Sequence, residues 1–312
     1  MARVLVFGGA HIDRRATISG ETVPGASNPG NWHEEPGGGG FNAARNLAGL
    51  GDSVAMVSVR GGDAAGEAVG QAVEAAGIED MAQVFLDRKT PSYSAVLENN
   101  GDLVIAVADM DLYDRFVYRQ LSRKSIREAV AASDFVLCDA NLPPDTIGAL
   151  SSMTAAHEKP LAAIAISPAK VPRLSQAFTG LSVLFLNAAE ADALCGGPVQ
   201  PQLWPQKLRA LGITCAAITR GAEPVLGFDR KGVFQIAPPA IDSIVDVTGA
   251  GDALAAATVN AMVNGAGFSD ALKSGVAAAG IAVRSPNAAP PELDADSLAK
   301  AMALVPQPEF LS

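Results

Sequence analysis

The alternation of short apolar runs with stretches of helical pattern is the feature that most constrains how this chain can fold. The predicted strands cover residues 4–7, 54–59, 135–138, 161–166, 183–186 and 215–219, and the predicted helices cover residues 41–50, 64–76, 114–132, 144–156, 173–178, 203–211, 250–264 and 270–284. Helices of about 10 to 15 residues between strands favour right-handed crossovers and parallel pairing. The sequence therefore predicts an α/β fold with a doubly wound, mostly parallel sheet and helices on both faces.

Two stretches interrupt this alternation. In one of them, two β-rich runs are joined through Asn100-Gly101, and Asn-Gly in that position is the strongest short signal for a β-hairpin. The other is rich in Gly, Pro, Ser and Asn, and it separates the first predicted strand from the first predicted helix. We expect one α/β domain over residues 1–312, with a small β lid formed by insertions at about residues 13–36 and 88–112.

The charge balance disfavours several classes of partner. Lys and Arg total 23 against 33 Asp and Glu, and the resulting net charge of -10 repels nucleic acids and anionic membranes. No apolar run approaches the roughly 20 residues of a transmembrane helix, and residues 1–7 lack the pattern of an export signal. We therefore expect a cytoplasmic protein that binds neither nucleic acid nor membranes. Cys138, Cys195 and Cys215 are expected to be buried free thiols.

The run DVTGAGD at residues 246–252 precedes a strongly apolar helix. Glycines at the start of a helix let several backbone N–H groups converge on an anion, and the helix dipole adds positive charge there. Asp252 then lies in the first turn, where its carboxylate can accept a proton from a hydroxyl that attacks phosphorus. A capped helix with packing glycines explains the same run, so this motif alone leaves both interpretations open.

A glycine run lies near the N-terminus, within the sequence PGGGGFNAARNL at residues 36–47. Such a run is a flexible linker when it joins two domains. Here it leads directly into a predicted helix, which favours a close approach of the backbone to a polar ligand.

Asn187 and Glu190 follow the predicted strand at residues 183–186 and open a helix. The carboxyl ends of the strands in an open α/β sheet form the ligand crevice, where an Asn and a Glu can hold water around Mg²⁺. A helix N-cap with Glu at the third helical position explains the same spacing. Both interpretations stay open for these two residues.

Together these motifs resemble those of a known family. The run GGGFN at residues 38–42 and the later DxTGAGD run look like the two signatures of the PfkB or ribokinase-like carbohydrate and nucleoside kinases, and Asn187-x-x-Glu190 lies between them. Their order and separation agree over essentially the whole chain. The resemblance implies a ribokinase-like fold and an ATP-dependent small-molecule kinase. The chain has no GxxxxGKS or GxxxxGKT run, which disfavours a P-loop kinase.

The resemblance implies a role for individual residues in catalysis. Asp252 is expected to be the base. The amides of Gly249, Ala250 and Gly251 are expected to form an anion hole for the transferred phosphoryl group.

Two cation sites are implied by the same resemblance. Asn187 and Glu190 are expected to organise Mg²⁺ through water. Asp246 and the carbonyl of Thr248 are expected to hold a monovalent cation such as K⁺.

The residues implied for binding fall into two groups. The nucleotide is expected to contact Asn187, Thr219, Gly221, Thr248 and Gly251. The acceptor is expected to contact His11, Asp13, Asn28, Gly38, Gly39, Asn42, Tyr93, Asp109 and Asn141.

Four short runs resemble the branch of this family that phosphorylates the ribose 5′-hydroxyl of pseudouridine: SNPG at 27–30, PSY at 91–93, ADM at 108–110 and DAN at 139–141. Two positions depart from the family pattern. His11 stands where Asn is usual, and it can donate to a hydroxyl or lie in the core as a neutral imidazole. Phe41 stands where a polar or basic residue is usual, and it can stack on a base or pack in the core.

The sequence thus predicts an ATP-dependent kinase that acts on a primary hydroxyl of a nucleoside, with pseudouridine as the preferred acceptor. A furanose or pentose kinase of the same family is the alternative within enzymes. A non-catalytic binding protein on the same fold is disfavoured by the intact Asp252. The expected partners are a small-molecule substrate, ATP and, through the lid, a second copy of the chain.

Overall fold

The computed structural model describes residues 1–311. The strands are β1 Arg3–Phe7, β2 His11–Ile18, β3 Gly30–Gly37, β4 Ser53–Val57, β5 Val59–Gly61, β6 Glu79–Asp80, β7 Gln83–Phe85, β8 Ser92–Leu97, β9 Leu103–Asp109, β10 Phe135–Asp139, β11 Leu161–Ile164, β12 Val183–Asn187, β13 Ala216–Arg220, β14 Glu223–Asp229, β15 Gly232–Ile236 and β16 Glu309–Leu311. The α-helices are α1 Gly39–Gly49, α2 Ala64–Ala75, α3 Lys124–Ala132, α4 Pro144–Ala156, α5 Ala188–Leu194, α6 Trp204–Ala210, α7 Ala250–Val263, α8 Phe268–Ala282 and α9 Ala295–Met302.

The main sheet has the strand order β16-β15-β14-β13-β12-β11-β10-β1-β4-β6. The strands from β6 to β13 in this order pair in parallel, and β14, β15 and β16 extend the sheet in antiparallel pairs. Because side chains alternate along a strand, Val4 and Val6 of β1 join a core with α1, α7 and α8, whereas Leu5 and Phe7 join a second core with α3 and α4. The predicted α/β sheet with helices on both faces is confirmed.

A second sheet, which we call the small sheet, has the strand order β3-β2-β8-β9. β8 and β9 form the hairpin predicted at Asn100-Gly101, with Gly101 at φ 93°. The pairing register places Asp13 opposite Tyr93 on one face, which we call the inner face. It places Trp32, Val96 and Ile105 in one row on the other face, the outer face.

Several predicted elements differ from the structure. The helix predicted over residues 114–132 is confined to α3, because two short 3₁₀ turns precede it and Arg123 adopts an extended backbone at φ -59°, ψ 136°. The helix predicted over residues 173–178 is instead part of a 3₁₀ segment, Val171–Gly180. α9 and β16 were not predicted. β2 and β3 overlap the insertion at about residues 13–36 that was expected to contribute to a β lid, but their bounds were not predicted, because polar side chains occupy both of their faces and hide the alternation.

Two further observations concern the cysteines and the helix lengths. Cys138 and Cys215 are buried free thiols as predicted, whereas Cys195 is only half-buried. Among residues 1–311, no helix is both long enough and apolar enough to cross a membrane.

Candidate active site

The site lies where the parallel strands of the main sheet end. The register aligns Asp139 at the end of β10 with Ile164 of β11, and Asn187 at the end of β12 with Thr219 of β13. α1 and α7 both begin at this edge and pack against each other. Polar groups from distant parts of the chain therefore converge at the carboxyl ends of the strands, as expected for ligand sites in open α/β sheets.

The predicted anion loop has the required backbone geometry. Gly249 caps α7 in the left-handed conformation, at φ 78° and ψ -6°. Within residues 1–311, the N–H groups of Gly249 and Gly251 have no hydrogen-bond partner, whereas the N–H of Ala250 donates to the Val247 carbonyl at 3.3 Å. Two of the three predicted amides are thus free to bind an anion at the positive end of the helix dipole.

Asp252 lies in the first turn of α7 and contacts the start of α1. Its Oδ2 accepts a hydrogen bond from Asn42 Nδ2 at 2.9 Å, so the structure brings together the two motifs at opposite ends of the sequence. Burial raises the pKa of Asp252 to about 7; the Asn42 hydrogen bond and the Arg45 charge oppose this rise, and nearby Asp139 and Asp13 add to it. A carboxyl with a pKa near neutrality has the proton affinity that a general base needs.

His11 and Asp13 lie on the same face of β2, near Asp252. His11 Nε2 lies 3.2 Å from Asp13 Oδ1, and His11 Nδ1 is hydrogen bonded to Tyr113 Oη at 2.8 Å. The imidazole is only 7% exposed. Both ring nitrogens have protein partners, so the interpretation of His11 as a buried, hydrogen-bonded imidazole fits the structure better than a free donor to substrate.

Asp139 organises the glycine-rich loops around the acceptor side. Its fully buried carboxylate accepts hydrogen bonds from the N–H groups of Gly9 and Gly40, and from both nitrogens of Asn141, all at 2.8–2.9 Å. This set holds the start of α1 against the end of β1. From the sequence, Asp139 was noted only as part of the DAN run, and no separate role was predicted for it.

The remaining predicted acceptor residues divide between the two faces of the small sheet. Gly38 and Gly39 lie at the start of α1, and Tyr93 lies opposite Asp13 on the inner face. Asp109 pairs with Ser92, one position away in register, so it lies on the outer face. The Asn28 amide bonds to Val23 and Ala26 within its own exposed loop. The structure therefore does not bring Asp109 or Asn28 to Asp252.

On the predicted nucleotide side, Asn187 and Glu190 form a capping box. Asn187 Oδ1 accepts the Glu190 N–H at 3.0 Å, and Glu190 Oε2 accepts the Asn187 N–H at 2.7 Å. Glu190 is 4% exposed, and burial raises its pKa. The second interpretation of this motif, a helix cap, is realised. Thr219 lies beside Asn187 in register, and Gly221 is exposed in the following turn at φ 63°.

Comparison with known proteins places this geometry in a family. The model of the pfkB family carbohydrate kinases matches residues 1–295. The chain belongs to the pfkB family. It is similar to the pseudouridine kinase of Escherichia coli (strain K12), with 26% identity over 99% of this chain and 98% of that protein.

Solved structures of similar shape agree with this pfkB assignment. A carbohydrate kinase from Agrobacterium tumefaciens is 52% identical, with a TM-score of 0.90 and full coverage of both chains. A ribokinase from Arabidopsis thaliana, solved with ribose and ATP, is 21% identical, with a TM-score of 0.84 over 97% of this chain and 99% of its own. The fold is ribokinase-like, and the protein is a sugar or nucleoside kinase, a phosphotransferase with an alcohol acceptor.

Arg45 contacts two residues at the start of α1 beside the candidate site, and the sequence did not reveal it. Its guanidinium lies 4.5 Å from the centroid of the Phe41 ring and donates to Asn42 Oδ1 at 2.6 Å. The Asn42 amide is thereby oriented with its nitrogen toward Asp252. Phe41 is fully buried, so its packing interpretation holds and it supports Arg45 through a cation–π contact. The one available signal was the position of Arg45 one helical turn after Asn42.

Two further residues near the acceptor side were also missed. Lys170 Nζ donates to Asn141 Oδ1 at 2.6 Å, and burial lowers the pKa of Lys170. Ile166 adopts φ 70°, which is a genuine outlier for a β-branched residue, and its side chain fills the space beside Gly39. Backbone strain of this kind persists where the surrounding structure determines it, and it is common at functional sites.

Proposed function

We propose that this protein uses ATP to phosphorylate the primary hydroxyl of a nucleoside or sugar. The observation that carries the proposal is the hydrogen bond between Asn42 and Asp252, directly beside the free amides of Gly249 and Gly251. It supports a general base beside an anion site, which is the arrangement that phosphoryl transfer to an alcohol requires. ATP as donor is supported by the family and by the ATP in the Arabidopsis ribokinase structure.

In the proposed reaction, the acceptor hydroxyl loses its proton to Asp252 as its oxygen bonds to the γ-phosphorus of ATP. The bond between that phosphorus and the β,γ-bridging oxygen breaks, and ADP leaves. The N–H groups of Gly249 and Gly251 stabilise the charge on the transferred phosphoryl oxygens. Arg45 keeps the Asn42 amide in the orientation that holds the Asp252 carboxylate.

Mg²⁺ is proposed as the cation that accompanies ATP. Among the described residues, Glu190 Oε1 makes no hydrogen bond, so one carboxylate oxygen remains for a water molecule although the other belongs to the capping box. The residues present therefore fit a water-mediated site at Glu190 and Asn187. When bound with ATP, Mg²⁺ neutralises charge that develops on the phosphates.

Glu190→Gln is expected to raise the Mg²⁺ concentration needed for half-maximal rate, because the neutral amide attracts the hydrated cation less strongly. The measurement is a Mg²⁺ titration of turnover at saturating acceptor. Glu128→Gln is a matched control, since Glu128 is an exposed residue of α3 paired with Lys124. A Glu190→Gln curve identical to wild type would leave Glu190 with its capping role alone.

Pseudouridine is the acceptor that we propose within this class. The supporting observations are the similarity to pseudouridine kinase over nearly the whole chain and the polar groups of Asn141 and Lys170 near the acceptor side. The ammonium of Lys170 carries further N–H groups besides the one that it donates to Asn141, and such a donor suits a carbonyl oxygen of a pyrimidine. A furanose or pentose is the second candidate, because Phe41 is buried and Asn28 is engaged in its own loop, so neither residue is free to contact a base.

The acceptor is tested by comparing kcat/KM for pseudouridine, uridine, ribose and fructose under one set of conditions. Pseudouridine is expected to exceed ribose, because a base adds binding energy that a free sugar lacks. Uridine is expected to be poorer than pseudouridine, because its altered base edge leaves buried polar groups unpaired. A free sugar that outruns both nucleosides would select the second candidate and leave the kinase assignment intact.

We also propose that the small sheet is the lid of one domain and that two copies pair through its outer face. Trp32 is 62% exposed, and Ile105 and Val107 of β9 are 60% and 62% exposed. Trp32 and Ile105 belong to one cross-strand row, so these side chains form a continuous apolar strip. A contiguous exposed apolar strip of this kind favours association.

Ile105→Glu is expected to convert a dimer into a monomer in analytical ultracentrifugation, because it places a charge from each copy within the proposed apolar contact. Leu304→Glu serves as the control, since Leu304 is 66% exposed on another part of the surface. Wild-type protein that sediments as a monomer at micromolar concentration would contradict the dimer and leave the lid assignment open to separate tests.

A further inference from the structure

Asp246, the residue implied to hold a monovalent cation, already has a positive partner. Arg15 Nη1 from β2 donates to Asp246 Oδ2 at 2.9 Å, and Nη2 of the same guanidinium is bonded to Glu35. Asp246 Oδ1 accepts the Thr248 N–H at 2.8 Å. Both carboxylate oxygens are engaged by donors, and the guanidinium of Arg15, which Asp246 shares with Glu35, supplies positive charge beside the carboxylate where a cation would lie. The Asp246 carboxylate therefore does not fit the cation that the resemblance implies.

The Arg15–Asp246 pair is partly shielded from solvent, with each side chain 25% exposed. Its electrostatic attraction is therefore screened less than that of a fully exposed pair. Burial opposes ionisation, but hydrogen bonds from Thr248 and Arg15 outweigh it and lower the pKa of Asp246. Burial also opposes the charge on Arg15, and the contacts with Asp246 and Glu35 outweigh it and raise the pKa of Arg15.

The position of this pair links the small sheet to the anion loop. Asp246 lies three residues before Gly249, the cap of α7. On one side this segment is fixed to the end of α8, where the Val245 N–H donates to the Val283 carbonyl at 2.8 Å. On the other side Arg15 fixes it to the inner face of the small sheet. The conformation of the loop that presents the free amides thus depends on a residue of the small sheet.

We propose that Arg15 takes the place of the monovalent cation in this protein. Its guanidinium supplies the positive charge beside the anion loop and holds that loop in shape when the small sheet is in place, so phosphoryl transfer needs no K⁺. The inference rests on the proposed kinase function, because its main readout is turnover. Arg14, the residue before Arg15 in β2, lies on the outer face and pairs with Glu34. Arg14 therefore provides a matched control.

The test compares turnover in KCl with turnover in choline chloride at equal ionic strength, with ATP supplied as its tetramethylammonium salt. Wild-type turnover is expected to be the same in both salts within about twofold. Arg15→Met is expected to lower turnover in choline chloride by about 10- to 100-fold, because the anion loop loses its fixed geometry. Guanidinium chloride at millimolar concentration is expected to restore part of it, and Arg14→Met is expected to match wild type.

Thermal unfolding gives a readout that is independent of activity. The melting temperature of the wild type is expected to be equal in KCl and choline chloride, since no K⁺ binds. Arg15→Lys, which keeps the charge, serves if Arg15→Met does not fold, and it should retain more turnover than any neutral variant. Activation of the wild type by K⁺, a K⁺-specific rise in its melting temperature, or full turnover of Arg15→Met in choline chloride would overturn the inference. No phosphoryl transfer by wild type in either salt would count against the proposed function, and the melting temperatures would then decide the cation question alone.

Discussion

Asp252→Asn is expected to lower turnover by roughly 10²- to 10⁴-fold while acceptor and ATP still bind, because an amide cannot take the hydroxyl proton. The substitution keeps the shape of the side chain, and its oxygen can still accept the 2.9 Å hydrogen bond from Asn42. Single-turnover kinetics and calorimetric titration measure chemistry and binding separately. A correctly folded variant with wild-type turnover would remove Asp252 from the role of base.

The pH dependence of the rate provides an independent check on Asp252. Burial raises its pKa to about 7, so about half of the carboxyls are protonated at neutrality and cannot act as a base. The rate of the wild type is expected to rise as pH increases through about 7 and then to level off. The residual rate of Asp252→Asn should lack this rise.

Asp252→Asn should also stabilise the folded protein at alkaline pH. The raised pKa means that the folded chain binds a proton more tightly than the unfolded chain, so this group lowers stability as pH increases from its ordinary carboxyl range through about 7. Replacing the half-buried carboxylate with a neutral amide removes that cost. The gain in melting temperature is expected to be larger at pH 8 than at pH 5, and an equal gain at both would show that the pKa is not raised.

The main sheet could be predicted from the sequence because each of its strands and helices is marked by residues close together in the chain. Buried parallel strands are short apolar runs, and the helices between them carry their own start and stop residues, as in Pro144–Ala156, where the predicted and observed bounds coincide. The anion loop was equally accessible, because glycine at the helix start and Asp252 in the first turn are encoded within seven residues. In the small sheet the β8–β9 hairpin was predicted, whereas the bounds of β2 and β3 were not, because one face of β2 carries Asp13 and Arg15 toward the site and this destroys the apolar alternation.

The supporting residues of the site could not be predicted, because their contacts join positions far apart in the chain. Arg15 and Asp246 are 231 positions apart, and Asp139 binds amides that lie 99 and 130 positions away. No local pattern marks such pairs. Asn187 and Glu190 show that a local pattern can also be ambiguous, because their spacing is compatible with a helix cap and with a magnesium site. In the structure they form the capping box, and one carboxylate oxygen of Glu190 stays available.

Gly249→Ala is expected to disrupt the anion loop, with loss of both stability and turnover. A side chain at φ 78° costs about 1–2 kcal/mol because it crowds the carbonyl oxygen that follows it. A Cβ at this position would also overlap the carbonyl oxygen of Ala288, a backbone group that can yield only if its own loop shifts. Relief of such an overlap costs a further amount of about 1–3 kcal/mol.

Gly251→Ala separates this loop-specific effect from a general intolerance of alanine near α7. A Cβ on Gly251 would meet no atom of residues 1–311 within 4 Å, and alanine favours a helix over glycine by up to about 1 kcal/mol. Gly251→Ala is therefore expected to melt at or above the wild-type temperature, whereas Gly249→Ala melts several degrees lower. Turnover of Gly249→Ala should fall by about 100-fold, because moving the amides by about 1 Å weakens their contact with the transferred phosphoryl group. Differential scanning calorimetry and steady-state kinetics on both variants measure the contrast. If Gly249→Ala matched Gly251→Ala in melting temperature, the left-handed cap would not be the constraint that shapes the loop.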